Sequence, residues 1–319
     1  MKIVVLDGKA LAANDLNYDV FKDFGEVTVY ENTKNEQAVK RINDSEVVIT
    51  NKVLLPKEVL EKCKNLKLVL IMATGYNIID LAAAKELGIT VCNIPSYSTN
   101  AVAQYVFATV LNYYNKINEH NNSVKNGEWI SSDTFSYTVA PIWELSGKTI
   151  GVVGFGEIGK AVSKIALAFN MKVLVYSRTK YSEYENENLK FVTFEDLLKN
   201  SDILTLHCPL TEQTKNLIGE KELKLMKNSA MLINSARGPV VNEEALANAL
   251  KNGEIAFAAL DVLCSEPMSK DCPLCKVDNC TITPHIAWMP FETRKRLMGI
   301  AVENLKCFLN GKPQNVVNN

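Results

Sequence analysis

The stretch Thr149-Ile-Gly-Val-Val-Gly-Phe-Gly-Glu-Ile-Gly-Lys160 constrains the fold more than any other part of this 319-residue chain. A short apolar strand runs into Gly154-x-Gly156-x-x-Gly159 and straight on into a helix. In such a turn one glycine allows the tight bend, one lets backbone approach a pyrophosphate, and one lets helix and strand pack closely. The free N–H groups of the helix start then meet the phosphates. After the turn, Ile158, Val162, Ile165, Ala166 and Phe169 share one helical face. Asn170 breaks that pattern, and Lys172–Tyr176 reads as a second strand. Strand, turn, helix and strand fit within roughly 30 residues, the span of a dinucleotide-binding unit. Because the motif opens at Thr149, almost half the chain precedes it and needs a task of its own.

The chain is long enough for two domains of ordinary size. Its net charge of −1 gives no electrostatic case for nucleic acid or an anionic membrane surface as partner. No apolar run approaches the roughly 18 residues of a membrane-spanning helix. Met1-Lys-Ile-Val-Val-Leu-Asp7 is too short and too soon acidic for a signal peptide, and reads as a buried first strand. A cytoplasmic location is expected. Of eight cysteines, Cys63, Cys92, Cys208, Cys264 and Cys307 sit in apolar segments and read as small buried hydrophobes in a reducing compartment. Cys272-x-x-Cys275 with Cys280 invites a zinc reading, but a structural site needs four ligands. Only His120, His207 and His285 are available, so an exposed loop is expected and no metal.

Strand and helix signals alternate along the first hundred residues. Lys2–Leu6, Glu26–Tyr30, Glu46–Thr50, Leu66–Ile71 and Thr90–Cys92 are β-rich. Pro56–Lys64 and Ile79–Leu87 read as helices, the second closed by Gly88. Alternation of this kind predicts a parallel sheet covered on both faces. A long apolar helix follows over about Ala101–Tyr114, then a polar, patternless excursion from Asn121 to Ser146. A second series has strands near Ile150–Val153, Lys172–Tyr176, Ile203–Leu206, Met231–Asn234, Ala256–Leu260 and Thr281–Thr283. Asn242 is placed to cap a helix whose first turn carries Glu243 and Glu244. A last amphipathic helix, about Phe291–Leu309, ends before Gly311 and Pro313 and is free to return to the first domain.

Ligands of open α/β sheets bind beyond the carboxyl ends of strands. That rule selects Ser177-Arg178, His207, Ser235-Ala-Arg237, Asp261 and His285 in the second series, and Asp7, Lys52, Ala73-Thr-Gly75 and Asn93 in the first. Arg237 offers a rigid fork that matches a carboxylate; from position alone it fits a surface turn equally well. Glu266 alone reads as a solvated loop carboxylate, and His285 alone as a structural histidine. Their joint occurrence past strand ends of one dinucleotide domain argues for chemistry.

The motifs Gly154-Phe-Gly-Glu-Ile-Gly159, Leu206-His-Cys-Pro-Leu-Thr211, Ile233-Asn-Ser-Ala-Arg-Gly-Pro239, Leu260-Asp-Val262, Ser265-Glu-Pro267 and Thr283-Pro-His285 follow in that order. Over nearly its full length the chain resembles the D-isomer-specific 2-hydroxyacid dehydrogenase family. It is most similar to glycerate dehydrogenase/hydroxypyruvate reductase-like members, through Thr50-Asn-Lys52, Ala73-Thr-Gly-Tyr-Asn77 and His285-Ile-Ala-Trp288. The fold expected is α/β with two doubly wound parallel-sheet domains. A Rossmann dinucleotide-binding domain, residues 101–287, is inserted in a flavodoxin-like substrate domain made of residues 1–100 and 288–319. Cys272-Pro-Leu274 falls where the family carries an ordinary loop, which implies no metal.

The resemblance implies reduction of a 2-oxo acid by hydride transfer, with Arg237, Glu266 and His285 catalytic. Arg237 would bind the carboxylate and polarise the keto group. The Ala73-Thr74-Gly75 turn would hold the other carboxylate oxygen, with Tyr76 and Trp288 as pocket walls and Lys52 adding charge. His285 would donate the proton, with Glu266 favouring its imidazolium form. Gly154, Phe155, Gly156, Glu157, Ile158, Gly159, Ser177, Arg178, Thr179, His207, Pro209, Ser235, Ala236 and Asp261 would line the cofactor, Asp261 facing the nicotinamide carboxamide.

NAD-selective folds carry Asp or Glu about 20 residues after the glycines. Here the second strand ends Tyr176-Ser-Arg-Thr-Lys180, without a carboxylate. NADP(H) is therefore expected to be preferred over NAD(H), with Glu183 and Glu185 beyond the turn as a complication. A small polar oxo acid, hydroxypyruvate or glyoxylate, is the expected substrate, and a homodimer joined through the long helix and the excursion is the expected assembly. A bulkier oxo acid stays open as an alternative, as does a dinucleotide-sensing corepressor-like binding protein. A formate dehydrogenase is disfavoured by Glu266, and the extra regulatory domains of longer phosphoglycerate dehydrogenases are not expected.

Overall fold

A computed structural model describes residues 1–12 and 15–319. The chain divides into two compact units, Met1–Ser98 with Trp288–Asn319, and Thr99–Ala287.

The first unit holds strands β1 (Lys2–Val5), β2 (Glu26–Val29), β3 (Val47–Thr50), β4 (Leu68–Ile71) and β5 (Thr90–Cys92). They form one parallel sheet in the order β2-β1-β3-β4-β5, that of a flavodoxin-like domain. β3 and β4 are buried along their whole length, which is why they read as unbroken apolar runs rather than alternating ones. The helix Phe291–Leu309 packs Leu297, Ala301 and Leu305 against Ile3, Val5, Val47 and Leu70 of this sheet. Each of its buried leucines stabilises by about 1.5–3 kcal/mol. Arg294, itself buried, anchors the helix through a two-pronged pair with Asp15 at 2.5 and 2.6 Å. The expected helix Pro56–Lys64 is shorter, Lys57–Leu60. Beyond Leu60 the chain tightens into turns, Lys62 and Cys63 donating to Val59 and Leu60.

The second unit holds β6 (Thr149–Val153), β7 (Lys172–Tyr176), β8 (Leu189–Phe191), β9 (Ile203–Leu206), β10 (Met231–Asn234), β11 (Phe257–Leu260) and β12 (Cys280–Ile282). All pair in parallel, in the order β12-β11-β10-β9-β6-β7-β8. Counted from β6 this is the Rossmann order extended by one strand, and it reverses between β6 and β9. β8 was not foreseen: it has three residues between polar neighbours and only Leu189 is buried, so no periodicity betrays it. β12 starts one residue earlier than expected, which frees Thr283 for the loop that follows.

The helix Thr99–Asn115 buries Ala103, Val106, Phe107 and Val110 against the β6 side of this sheet. The expected patternless excursion is partly helical, over Ile117–Lys125. Lys116 separates the two helices by adopting φ 49, a left-handed conformation that interrupts helical hydrogen bonding. Asn242 does cap the helix Glu243–Lys251, its side chain accepting the Ala245 N–H. The cysteines are free thiols, and burial pushes that of Cys280 up to about 12, whereas Cys264, expected to be buried, is exposed. Among the described residues no helix is long and apolar enough to cross a membrane, and no cluster of three candidate metal ligands occurs.

Candidate active site

β6 delivers the chain to Gly154 at the point where the strand order reverses. Gly154 has φ 92, and a Cβ there would lie 2.9 Å from the backbone of His207. A Cβ on Gly159 would lie 2.2 Å from the Gly154 carbonyl oxygen, so helix and turn close on one another only through a bare α-carbon. Gly156, at the cap of the helix Glu157–Ala168, faces open space instead. The turn is therefore tightly packed on the protein side and bare on the side where the helix N–H groups emerge. That fits a pyrophosphate.

The side chains around the turn sort into two kinds. Phe155 is buried among the rings of Tyr181, Tyr184 and Phe191, so only its backbone is offered outward. Ile158 packs inward, and Glu157 is exposed and paired with Lys160 at 3.4 Å. At the end of β7, the Ser177 hydroxyl donates to the Thr179 carbonyl, while Arg178 and Thr179 are exposed. Glu185 is held in its own turn, by Lys180 at 3.0 Å and by the Phe191 N–H at 3.1 Å. Those contacts hold its carboxyl below the usual carboxylate range.

Past β9, His207 meets the Thr205 hydroxyl at 3.0 Å, and burial lowers its pKa to about 3. It is neutral at working pH and suited to hydrogen bonding rather than proton donation. The Pro209 carbonyl accepts the Thr214 hydroxyl. Past β10, the buried Asn234 side chain shapes the turn: its oxygen accepts the Ala236 N–H and its amide donates to the Arg237 carbonyl. Among the described residues the buried Ser235 hydroxyl has no partner, an orphan polar atom that a bound ligand would satisfy. Asn234 was missed in the sequence because a buried amide at a strand end carries no pattern of its own.

Arg237, Glu266 and His285 stand past the carboxyl ends of β10, β11 and β12, three neighbouring strands. His285 Nδ1 lies 2.8 Å from Glu266 Oε2, and Glu266 Oε1 accepts the Leu263 N–H at 3.1 Å. The carboxylate is thus fixed by backbone and in turn fixes the ring through Nδ1, while Nε2 has no hydrogen-bond partner among the described residues. The His285 side chain keeps 25% of its surface exposed. Its backbone has φ 56, which a non-glycine residue holds only when its surroundings enforce it. Arg237 is exposed, with its guanidinium over its own turn, donating to the Ala236 carbonyl at 2.6 Å.

Asp261 directly follows β11, inside the protein. It is 1% exposed, and its oxygens accept the Thr283 hydroxyl and the Ile286 and Ala287 N–H groups at 2.6–2.8 Å. Its carboxylate clamps the His285 loop.

In the first unit, Asp7 is buried and accepts the N–H groups of Asn51 and Lys52, so the β3 exit that carries the exposed Lys52 is anchored on a carboxylate. Burial raises the Asp7 pKa. After β4, the Thr74 hydroxyl donates to the Ile94 carbonyl and Asn93 donates to the Thr74 carbonyl. Among the described residues nothing accepts from the N–H groups of Thr74, Gly75 and Tyr76. The Tyr76 ring is exposed, whereas Trp288 packs edge-on against Tyr97 in this unit's core.

The family model for the NAD-binding domain of D-isomer-specific 2-hydroxyacid dehydrogenases matches residues 107–287. The chain belongs to the D-isomer-specific 2-hydroxyacid dehydrogenase family. This dehydrogenase is 45% identical to the hydroxypyruvate reductase of Blautia hydrogenotrophica, over the full length of both chains. It is 40% identical to the glycerate dehydrogenase of Methylorubrum extorquens, covering 99% of this chain and 98% of that one. Among solved structures it is similar to D-lactate dehydrogenase from Aquifex aeolicus complexed with NAD and lactic acid. The TM-score there is 0.85 at 29% identity, covering 100% and 99% of the two chains. An acyclic imino acid reductase in complex with NADPH and D-Arg gives 0.85 at 33%, covering 99% and 100%. The dehydrogenase is an oxidoreductase that uses a nicotinamide dinucleotide.

Proposed function

We propose that the dehydrogenase reduces small polar 2-oxo acids, hydroxypyruvate and glyoxylate foremost, to D-2-hydroxy acids. The observation that carries this reading is the His285–Glu266 pair at 2.8 Å, held by the Leu263 N–H and standing beside the strand that delivers Arg237. The names of the relatives support the substrate class, a glyoxylate reductase of Thermococcus litoralis at 42% identity among them.

In this reading the Arg237 fork takes the substrate carboxylate and polarises its keto oxygen. His285 Nε2 delivers a proton to that oxygen as it becomes a hydroxyl. Glu266 fixes the ring and keeps Nδ1 occupied. A reduced nicotinamide dinucleotide bound at the glycine turn supplies the hydride. The cofactor residues would be the backbone of Gly154–Gly159, the β7 exit Ser177–Thr179, His207 and Ser235. Taken by itself, the first unit carries a turn suited to a carboxylate, since among the described residues nothing accepts from the N–H groups of Thr74, Gly75 and Tyr76.

NADP(H) is assigned over NAD(H). What supports this is the exposed Arg178 with no carboxylate at the end of β7, and Glu185 drawn away by Lys180 and Phe191. A homodimer is assigned on the exposed apolar residues after the long helix, with Ile130 at 91% and Phe135 at 92% exposure beside Trp129, Ile142 and Trp143. Patches of this kind mark association surfaces.

The deciding experiment follows oxidation of NADPH and NADH against a panel of 2-oxo acids. The expected result is the highest kcat/KM with hydroxypyruvate or glyoxylate and NADPH. Preference for an aromatic or branched oxo acid overturns the substrate, and preference for NADH overturns the cofactor. Sedimentation velocity of the purified protein tests the dimer.

A further inference from the structure

We infer that Tyr105 is a positioning residue for His285, acting through Thr283 and Asp261; this rests on the reading of His285 as proton donor. Tyr105 lies on the helix Thr99–Asn115, far in sequence from the catalytic loop, and its hydroxyl sits 2.7 Å from Thr283 Oγ1. Thr283 Oγ1 sits 2.6 Å from Asp261 Oδ1. An ionised carboxylate only accepts, so the single Thr283 proton goes to Asp261, and Tyr105 must donate to Thr283. Burial pushes the Tyr105 phenol up to about 12, which keeps that proton in place.

The relay ends on the loop that matters. Asp261 Oδ1 also accepts the Ile286 N–H, and Oδ2 accepts the Ala287 N–H. Donors flanking His285 on both sides, Thr283 before it and Ile286 after it, converge on one buried carboxylate. Between them His285 holds its left-handed backbone, with φ 56. Such a conformation relaxes unless its surroundings over-determine it. The helix supplies a rigid outer anchor, because Ala103, Val106 and Phe107 around Tyr105 are fixed in the core. Loss of the phenol hydroxyl therefore lets Thr283 turn, loosens the clamp, and lets the imidazole leave the Glu266 carboxylate by fractions of an ångström. Proton transfer is sensitive to shifts of that size.

The test uses the full-length protein with hydroxypyruvate or glyoxylate and saturating reduced dinucleotide. Tyr105→Phe removes only the hydroxyl. Its kcat is expected to fall about three- to tenfold, the effect of one lost hydrogen bond. The Kd of the reduced dinucleotide, read by fluorescence, is expected to stay within about twofold. In a His285→Ala background the same substitution is expected to cost nothing further, because a residue acting through His285 has nothing left to position. The inference is overturned if Tyr105→Phe keeps parental kcat, weakens dinucleotide binding in step with kcat, or costs the same factor with and without His285. Should the His285→Ala rate be too low to measure, Thr283 decides: serine keeps the relay hydroxyl and should restore kcat where valine does not, and equal loss in both overturns the inference. Near-parental turnover by His285→Ala alone is a separate result, which removes the proton-donor reading and this inference with it.

Discussion

Glu266 divides its carboxylate between the Leu263 N–H and His285 Nδ1, at 3.1 and 2.8 Å, so the backbone sets the carboxylate and the carboxylate sets the ring. His285→Ala is accordingly expected to lower kcat by about 10²–10⁴, the usual contribution of a positioned general acid. Dinucleotide affinity should stay near the parental value, since none of the glycine-turn residues is disturbed. Glu266→Gln keeps the shape and an acceptor oxygen but removes the negative charge that faces the imidazole, and should lie between the parent and His285→Ala. Steady-state rates with dinucleotide Kd values on the same preparations check both; a His285→Ala enzyme with unaltered kcat would show that another group delivers the proton.

Gly156 and Gly159 make opposite predictions from the same motif. A methyl at Gly159 would lie 2.2 Å from the Gly154 carbonyl oxygen, so Gly159→Ala should lower thermal stability measurably. A methyl at Gly156 meets nothing in the protein, so Gly156→Ala should fold as the parent does and yet bind dinucleotide more weakly, by about tenfold or more. Thermal melts with and without NADPH separate the two effects. Equal ligand-induced stabilisation of Gly156→Ala and parent would show that nothing approaches that face.

Arg178 is expected to read the extra phosphate of NADP(H). Removing a charge-assisted contact costs about 1.5–3 kcal/mol, so Arg178→Ala should lower kcat/KM with NADPH by about ten- to a hundredfold. With NADH the change should be within about twofold. Parallel kinetics with the two cofactors give the answer, and an equal loss with both would assign Arg178 to something other than the phosphate.

His207 links stability to pH. Its folded pKa, about 3, lies below its ordinary value near 6.5 because burial disfavours the charged ring. Below about pH 6.5 the unfolded chain therefore takes up a proton that the folded chain refuses. Stability falls as pH drops through the window from about 6.5 towards 3, by at most about 2 kcal/mol on reaching about pH 5. His207→Gln should remove that part of the slope. Urea midpoints for parent and variant at about pH 7 and pH 5 test it, and parallel pH dependences would deny His207 any role.

The Rossmann unit was readable because its signals are local. Gly154, Gly156 and Gly159 follow an apolar strand within a few residues, and the capping Asn242 stands next to the helix it starts. β7, β9, β10 and the helix Phe291–Leu309 were legible for the same reason: each is a continuous stretch whose residues share one environment. β8 escaped notice because three residues on a sheet edge need only one buried side chain, and its identity as a strand comes from pairing with β7.

Within the candidate site, the amino-acid sequence alone determined which groups are on hand: the arginine, carboxylate and imidazole past the ends of β10, β11 and β12, and a β7 exit without an acid. Only the tertiary structure decided how they are held. That Glu266 reaches His285 rather than solvent, that Asp261 clamps a loop, and that Tyr105 touches Thr283 across 178 positions of chain all depend on which strands lie side by side. Hydrogen bonds act over about 3 Å of space. Distance along the chain leaves no trace of such contacts until folding brings the partners together.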